Sequence, residues 1–211
     1  MTNTLLRFKK DLKYIVFDFE TEGLNLRYSR PWQLGFVVVE AGKIIKEYDL
    51  FLDIDNLNMS EGAIRTTGFN KKVYDSKKQD KSKVLDIFES YVYNPEYLLV
   101  GHNILNYDVY IHNNLRLDCG KKSDFSYVNR VIDTNCLAKA YKLGIKNADL
   151  NNLTSWQYKL VSYRKKNMKT NQKAMLIDFK IDFDEKMLHD AMYDVRMTNE
   201  MFKKLIWNVE V

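Results

Sequence analysis

Apolar residues follow two rhythms along the chain. In the first quarter they crowd into β-branched and aromatic runs: Lys13-Tyr-Ile-Val-Phe-Asp-Phe19, then Trp32 to Val39, then Lys43 to Leu52 after the tight-turn pair Ala41-Gly42. These predict three strands, the last two joined as a hairpin. Helical spacing then takes over. Ser60 heads a short helix through Arg65, and Val84, Leu85, Phe88, Tyr91 and Val92 trace one face of a longer one. Leu98-Leu-Val100, ending at Gly101, reads as a short buried strand. The pattern next predicts a helix over Tyr107–Leu117, a strand over Tyr127–Ile132, and helices over Thr134–Lys142, Leu150–Tyr163 and Asp190–Trp207. An antiparallel meander followed by alternating helices and strands predicts an α/β fold: a five-stranded mixed sheet flanked by helices. Two prolines, eight glycines and no internal repeat point to one domain over residues 1–211.

Composition narrows the class without naming a function. With 45% hydrophobic and 29% charged residues, disorder and collagen-like repeats are excluded. No apolar run approaches the roughly 20 residues of a membrane span, and Met1–Lys13 lacks the apolar stretch of a leader. Cys119 and Cys136 form neither a CxxC pair nor a disulfide framework, so a reducing, cytoplasmic setting is expected. Richness in Lys, Asn, Ile and Tyr fits an AT-rich coding genome such as a phage's. The net charge of +5 is a mild pointer to an anionic partner.

The placement of acids is more informative. Asp18 and Glu20 end the most apolar predicted strand, and residues two apart project to the same face. Like charges held so close repel unless a cation joins them or one takes a proton. An isolated Asp-x-Glu reads most simply as a solvated strand end. Two further acids change that balance: Asp108 opens a helix after an apolar strand, and Asp194 lies early in the last helix. Ligand sites of α/β sheets gather at the carboxyl ends of strands. Four carboxylates so placed suit two divalent cations roughly 4 Å apart, which favour phosphodiester hydrolysis. All-oxygen ligands select Mg or Mn over Zn.

His189 is a candidate general base, provided it lies off the last helix. On one regular helix, positions 189 and 194 would point about 140° apart. Asp190 is a good N-cap, so the helix can begin there and leave His189 on the preceding loop. An imidazole titrating near 6.5 suits proton transfer from the attacking water. A zinc site from His102, Asp108 and His112 is conceivable, since 108 and 112 are one turn apart. No cysteine cluster supports it, and His112 reads as an exposed helix residue.

These motifs resemble the DnaQ-like exonucleases of the DEDDh group, in the RNase H-like superfamily. Asp18-Phe-Glu-Thr-Glu-Gly-Leu24 is similar to that family's Asp-x-Glu-Thr-Thr-Gly-Leu, and Gly101-His-Asn-Ile-Leu-Asn-Tyr-Asp108 to its Gly-His-Asn with a following Phe-Asp. His189-Asp-Ala-Met-Tyr-Asp-Val-Arg-Met-Thr198 is similar to its His-Asp-Ala-x-x-Asp-x-x-x-Thr, and Val131-Ile-Asp-Thr134 resembles its Ile-Asp-Thr strand end. The resemblance implies that Asp18, Glu20 and Asp194 hold a first metal, that Asp18 is shared with a second, and that Asp108 contributes directly or through water. It implies His189 as general base, because position 190, where the tyrosine subgroup needs Tyr, is Asp. Thr21, Leu24 and Asn103 match positions near the terminal nucleotide. Glu22 departs from the usual Thr: an acid there either repels phosphate or sits outside the site.

Between Tyr158 and Lys173 the chain carries Lys159, Arg164, Lys165, Lys166, Lys169 and Lys173 with no acid. This is a candidate surface for a nucleic-acid backbone, with Lys165 and Lys166 as contacts and Tyr158 and Tyr163 as stacking platforms. The expected activity is divalent-metal-dependent 3′–5′ exonuclease action on single-stranded DNA, releasing nucleoside 5′-monophosphates. An RNA-trimming enzyme is the alternative, and a non-catalytic nucleic-acid-binding module is disfavoured because all five site residues are present. The chain closes at Val211, just after its last predicted helix, so a free-standing nuclease is expected over a polymerase subunit.

Overall fold

The computed structural model describes residues 5–211; the first four positions of the stretch read for a leader lie outside the described residues. The most apolar run becomes the centre of the sheet. β1 (Lys13–Thr21) pairs antiparallel with β2 (Pro31–Glu40), and β2 pairs antiparallel with β3 (Lys43–Asp53). A two-residue β4 (Gln79–Asp80) lies parallel to the end of β3. On the other side, β5 (Leu98–Gly101) runs parallel to β1, and β6 (Val131–Asp133) parallel to β5. The order is β4-β3-β2-β1-β5-β6. The mixed sheet is as expected, but with six strands rather than five, because two residues are too few to leave a periodic signal.

Alternation along β1 divides the core. Ile15, Phe17 and Phe19 face one apolar cluster with α3 (Lys81–Val92) and α4 (Asp108–Asp118). Tyr14 and Val16 face another with α5 (Thr134–Lys142), α6 (Leu153–Ser162), α7 (Gln172–Asp178) and α8 (Ala191–Asn208). Two short helices, α1 (Glu61–Thr67) after the Ser60 cap and α2 (Lys71–Lys77) after the Asn70 cap, close the β3 end. No described helix is long and apolar enough to cross a membrane.

The strand expected over Tyr127–Ile132 is corrected. Ser126–Arg130 is a 3-10 turn and only Val131–Asp133 pairs. Tyr127 is drawn inward, its hydroxyl bonded to His112 Nδ1 at 2.8 Å, and Arg130 donates to the carbonyls of Val92, Asn94 and Tyr97. The helix read over Leu150–Tyr163 begins as a 3-10 turn at 150–152, and helices at 71–77 and 172–178 add to those the pattern predicts.

Candidate active site

Asp18 and Glu20 continue the parity of Tyr14 and Val16, so they emerge on the α8 side where β1 runs past its apolar core. α8 can approach because position 35 of β2 is glycine. A Cβ there would stand 2.7 Å from the backbone carbon of Ala191. The buried Tyr14 hydroxyl, bonded to Asn199 at 2.8 Å, fixes the same helix about two turns further along. The first turn of α8 therefore delivers Asp194 to the pair. Oxygens of Asp18, Glu20 and Asp194 lie within 4.8 Å of one another.

Asp190 caps α8 by accepting the Tyr193 N–H at 2.9 Å. His189 is left off the helix in a left-handed conformation, φ 74°. Its backbone N–H donates to Asp194 Oδ2 at 3.1 Å, and its side chain lines the same cleft. The loop placement expected for His189 is thus observed.

Asp108 arrives from the other side of β1. A turn after β5 carries it, and Gly101 permits the turn, since a Cβ would run into Ile104 and the Phe17 carbonyl. Asp133, at the end of β6 and fully buried, accepts N–H groups from Asn103 (2.9 Å), Leu105 (3.0 Å) and Asn135 (2.8 Å). That grip holds Asn103 at φ 66°. Asp108 Oδ1 accepts the Phe19 N–H at 3.0 Å, which fixes this carboxylate on the cleft wall beside the other three acids rather than within their 4.8 Å group. Asp133 is the residue whose positioning role was not read from the chain, although its Ile-Asp-Thr signal stood there.

No Lys or Arg pairs with these four acids among the described residues. Burial pushes the Asp18 carboxyl well above the usual range, and the charges of Asp108, Glu20 and Asp194 add to it. Glu20 rises for the same reasons, burial first and then Asp194 and Asp108. Burial also lifts Asp108 and Asp194 to about 7. Asp194 Oδ1 is buried with no hydrogen-bond partner. An unpartnered carboxylate oxygen among mutually repelling acids is the donor set of a hard divalent cation.

The acids floor a cleft of about 460 Å³. Its walls include Thr21, Leu24, Asn103, Tyr107 and the 61–67 helix. Thr21 donates its hydroxyl to the Gly23 carbonyl at 2.6 Å and meets the Tyr107 hydroxyl at 2.7 Å, which shapes the loop carrying Leu24. Leu24 itself is 90% exposed on the rim. Glu22 lies outside the acid cluster: it binds Arg30 through both oxygens and accepts the Asn58 N–H at 2.7 Å. No sequence signal marked that pairing.

His102, Asp108 and His112 do not converge. His112 is buried rather than exposed, held between Tyr127 and Glu89 in the core behind α4, while His102 bonds Thr134 Oγ1 at 2.9 Å. Of the basic stretch, Arg164, Lys165, Lys166 and Lys169 share one groove with Tyr163. Lys159 and Tyr158 stay on α6 outside it, and Lys173 pairs with Glu185.

Residues 15–202 match the exonuclease family model RNase_T. The chain belongs to this exonuclease family, within the DnaQ-like branch of the RNase H-like superfamily. It is similar to the PolC-type DNA polymerase III of Pediococcus pentosaceus, at 29% identity over 141 residues, covering 67% of this chain and 9% of the polymerase. The corresponding Bacillus cereus polymerase is 26% identical over 210 residues, 98% of this chain and 12% of that one. Among solved structures, E. coli exonuclease I in complex with a dA16 oligonucleotide shares the fold. The TM-score is 0.73 at 16% identity, over 93% of this chain and 41% of that chain. The chain thus spans about a tenth of the polymerases' length and two fifths of exonuclease I.

Proposed function

We propose that this chain is a DEDDh-type exonuclease that removes nucleotides from the 3′ end of single-stranded DNA as nucleoside 5′-monophosphates, with Mg or Mn as cofactor. The observation that carries the reading is the convergence of Asp18, Glu20 and Asp194 within 4.8 Å, with Asp108 beside them and His189 on the same cleft. Asp18, Glu20 and Asp194 would hold one cation. Asp18 would be shared with a second, which Asp108 reaches directly or through water. Bound there, the cations supply positive charge that stabilises attack by water and departure of the 3′ oxygen.

The protein's own groups do the rest. Thr21, Leu24, Asn103 and Tyr107 seat an unpaired terminal nucleotide in a cavity of ordinary small-ligand size. His189 takes the proton from the attacking water. Water adds to phosphorus, the bond to the upstream 3′ oxygen breaks, and that oxygen is protonated by solvent. DNA is favoured because the relatives are DNA polymerases and the structural neighbour holds a deoxyadenylate.

The test is a set of 5′-labelled single-stranded DNA, duplex DNA and RNA oligomers with Mg or Mn. A one-nucleotide ladder on single-stranded DNA, abolished by EDTA and by Asp18→Ala, is expected. No ladder on any substrate overturns the enzyme reading, and much faster cutting of RNA overturns the DNA assignment.

A further inference from the structure

The segment between α6 and α7 builds a second cavity that opens beside the candidate active site. It measures about 800 Å³ and has His102 and Asn103 as a wall in common with the cleft, so the two lie side by side. Its lining includes Lys139, Arg164, Lys165, Lys166 and Lys169 and no acid. Asn167 turns the chain at φ 66°, and the Met168 N–H closes onto the Lys165 carbonyl at 3.2 Å. That turn sets Lys165 and Lys166 on the same groove as Lys169.

The charges here are unspent. Elsewhere lysines such as Lys71, Lys78, Lys81 and Lys121 are matched to carboxylates. Among the described residues, Lys165, Lys166 and Lys169 have no such partner, and Arg164 donates only to the carbonyls of Val161 and Tyr163. Beneath them Lys139, 5% exposed, rests its ammonium on the carbonyls of Leu160 and Val161. Five cations around one groove, next to an acid-floored cleft, attract an anion that must span both.

We infer that this groove grips the phosphates of the substrate strand upstream of the terminal nucleotide, with Lys165, Lys166 and Lys169 as the sequence-independent contacts. The inference rests on the proposed exonuclease reading and adds to it a division between holding and cutting. The terminal nucleotide enters the cleft under Leu24. The strand behind it leaves past His102 and Asn103 into the basic groove, where the exposed ring of Tyr163 offers a stacking face. Backbone neutralisation of this kind depends on salt, with a slope near −0.7 per contacted phosphate on single strands.

The experiment measures fluorescence anisotropy of an oligothymidylate of about 16 nucleotides with EDTA present, so that nothing is cut. Wild type is compared with the Lys165→Ala/Lys166→Ala/Lys169→Ala triple variant, at salt from about 50 to 200 mM. The triple variant is expected to bind about tenfold or more weakly at low salt, with a slope shallower by about 2. It keeps wild-type hydrolysis of the p-nitrophenyl ester of thymidine 5′-monophosphate, which is too short to reach the groove. The matching triple Arg variant restores binding. An unchanged affinity and slope overturn the inference, as does an equal loss on the short ester. Wild-type binding with this salt slope but no cleavage of any substrate overturns the exonuclease reading while leaving the groove. Tenfold tighter binding of the matching oligouridylate overturns its assignment to DNA.

Discussion

Glu22 clasps Arg30 through both carboxylate oxygens, at 2.6 and 2.9 Å, while Arg30 reaches on to the carbonyls of Asp55 and Asn56. Burial would raise the Glu22 carboxyl, but the Arg30 guanidinium and the Asn58 N–H hold it below its ordinary range. The pair ties the 22–30 loop to the 55–60 loop, and those loops carry Leu24 and the Ser60-capped helix on the rim of the cleft. Glu22→Ala is expected to cost about 2 kcal/mol of stability and to raise KM for a labelled oligonucleotide about tenfold, with kcat nearly kept. Arg30→Ala should do the same, and the double variant should add little to either. Additive losses in a double-mutant cycle would show that the two loops act separately.

The four site acids oppose folding when no cation is bound. Their pKa values are raised in the fold, to about 7 for Asp108 and Asp194, so the folded chain holds more protons than the unfolded one as pH rises from the ordinary carboxylate range through these raised values. Without metal, this contribution to stability therefore declines as pH rises through that window. Asp18→Asn is expected to raise the melting temperature in EDTA near pH 8 by a few degrees while abolishing the ladder. Mn should stabilise the wild type more near pH 8 than near pH 5. Thermal unfolding at both pH values decides this, and equal melting points for Asp18→Asn and wild type in EDTA would contradict it.

His189, proposed above as the general base, has a strained backbone, φ 74°. A substitution to Ala keeps the left-handed penalty of about 1 kcal/mol that His189 already carries, whereas Gly relieves it, so Gly is the probe least confounded by instability. His189→Gly should keep the N–H bond to Asp194 and the affinity for Mn measured by calorimetry, yet lower kcat about 10²- to 10⁴-fold. Loss of Mn binding in the Gly variant would place the residue in metal retention instead.

Away from the cleft, Glu89 joins His112, Arg116 and Lys121. Burial alone would raise Glu89, but these three donors hold it at about 2. The unfolded chain takes up that proton near 4.5, so the contribution of Glu89 is complete above 4.5 and fades as pH falls toward 2. Burial keeps His112 below 6.5, which takes further stability away on acidification beneath that value. Glu89→Gln is expected to cost about 3 kcal/mol near neutrality, measured by urea unfolding, with the gap from wild type closing in acid.

Gly35→Ala tests how closely α8 must lie. The added Cβ meets backbone atoms of Ala191 at 2.7 and 2.8 Å, which no rotamer can relieve. A loss of about 1–3 kcal/mol and a sharp fall in Mn affinity are expected, because Asp194 moves with the helix.

The apolar run of β1 was legible from the chain as a strand, together with the shared side of Asp18 and Glu20, whereas its division of the core into two clusters emerges only in the fold. The Asp190 cap likewise places His189 off α8, a reading open to the sequence alone. Other parts were illegible for physical reasons. The two-residue β4 has no period to read. Tyr127 fits a strand by propensity and is pulled into a 3-10 turn by its bond to His112. Glu22 and Arg30 form their pair only through the fold, and the division of the basic stretch into groove residues and bystanders depends on one left-handed turn at Asn167.

Asp18 and Glu20 lie on β1, one of the strands flanked on both sides in the sheet, whereas Leu24, the Ser60 helix and the lysine segment all hang from loops. Amide exchange should therefore be slowest in β1 and fast along the rim. The consequence is separable inheritance: the grip on a strand can be rebuilt by insertion or substitution while the acids keep their spacing.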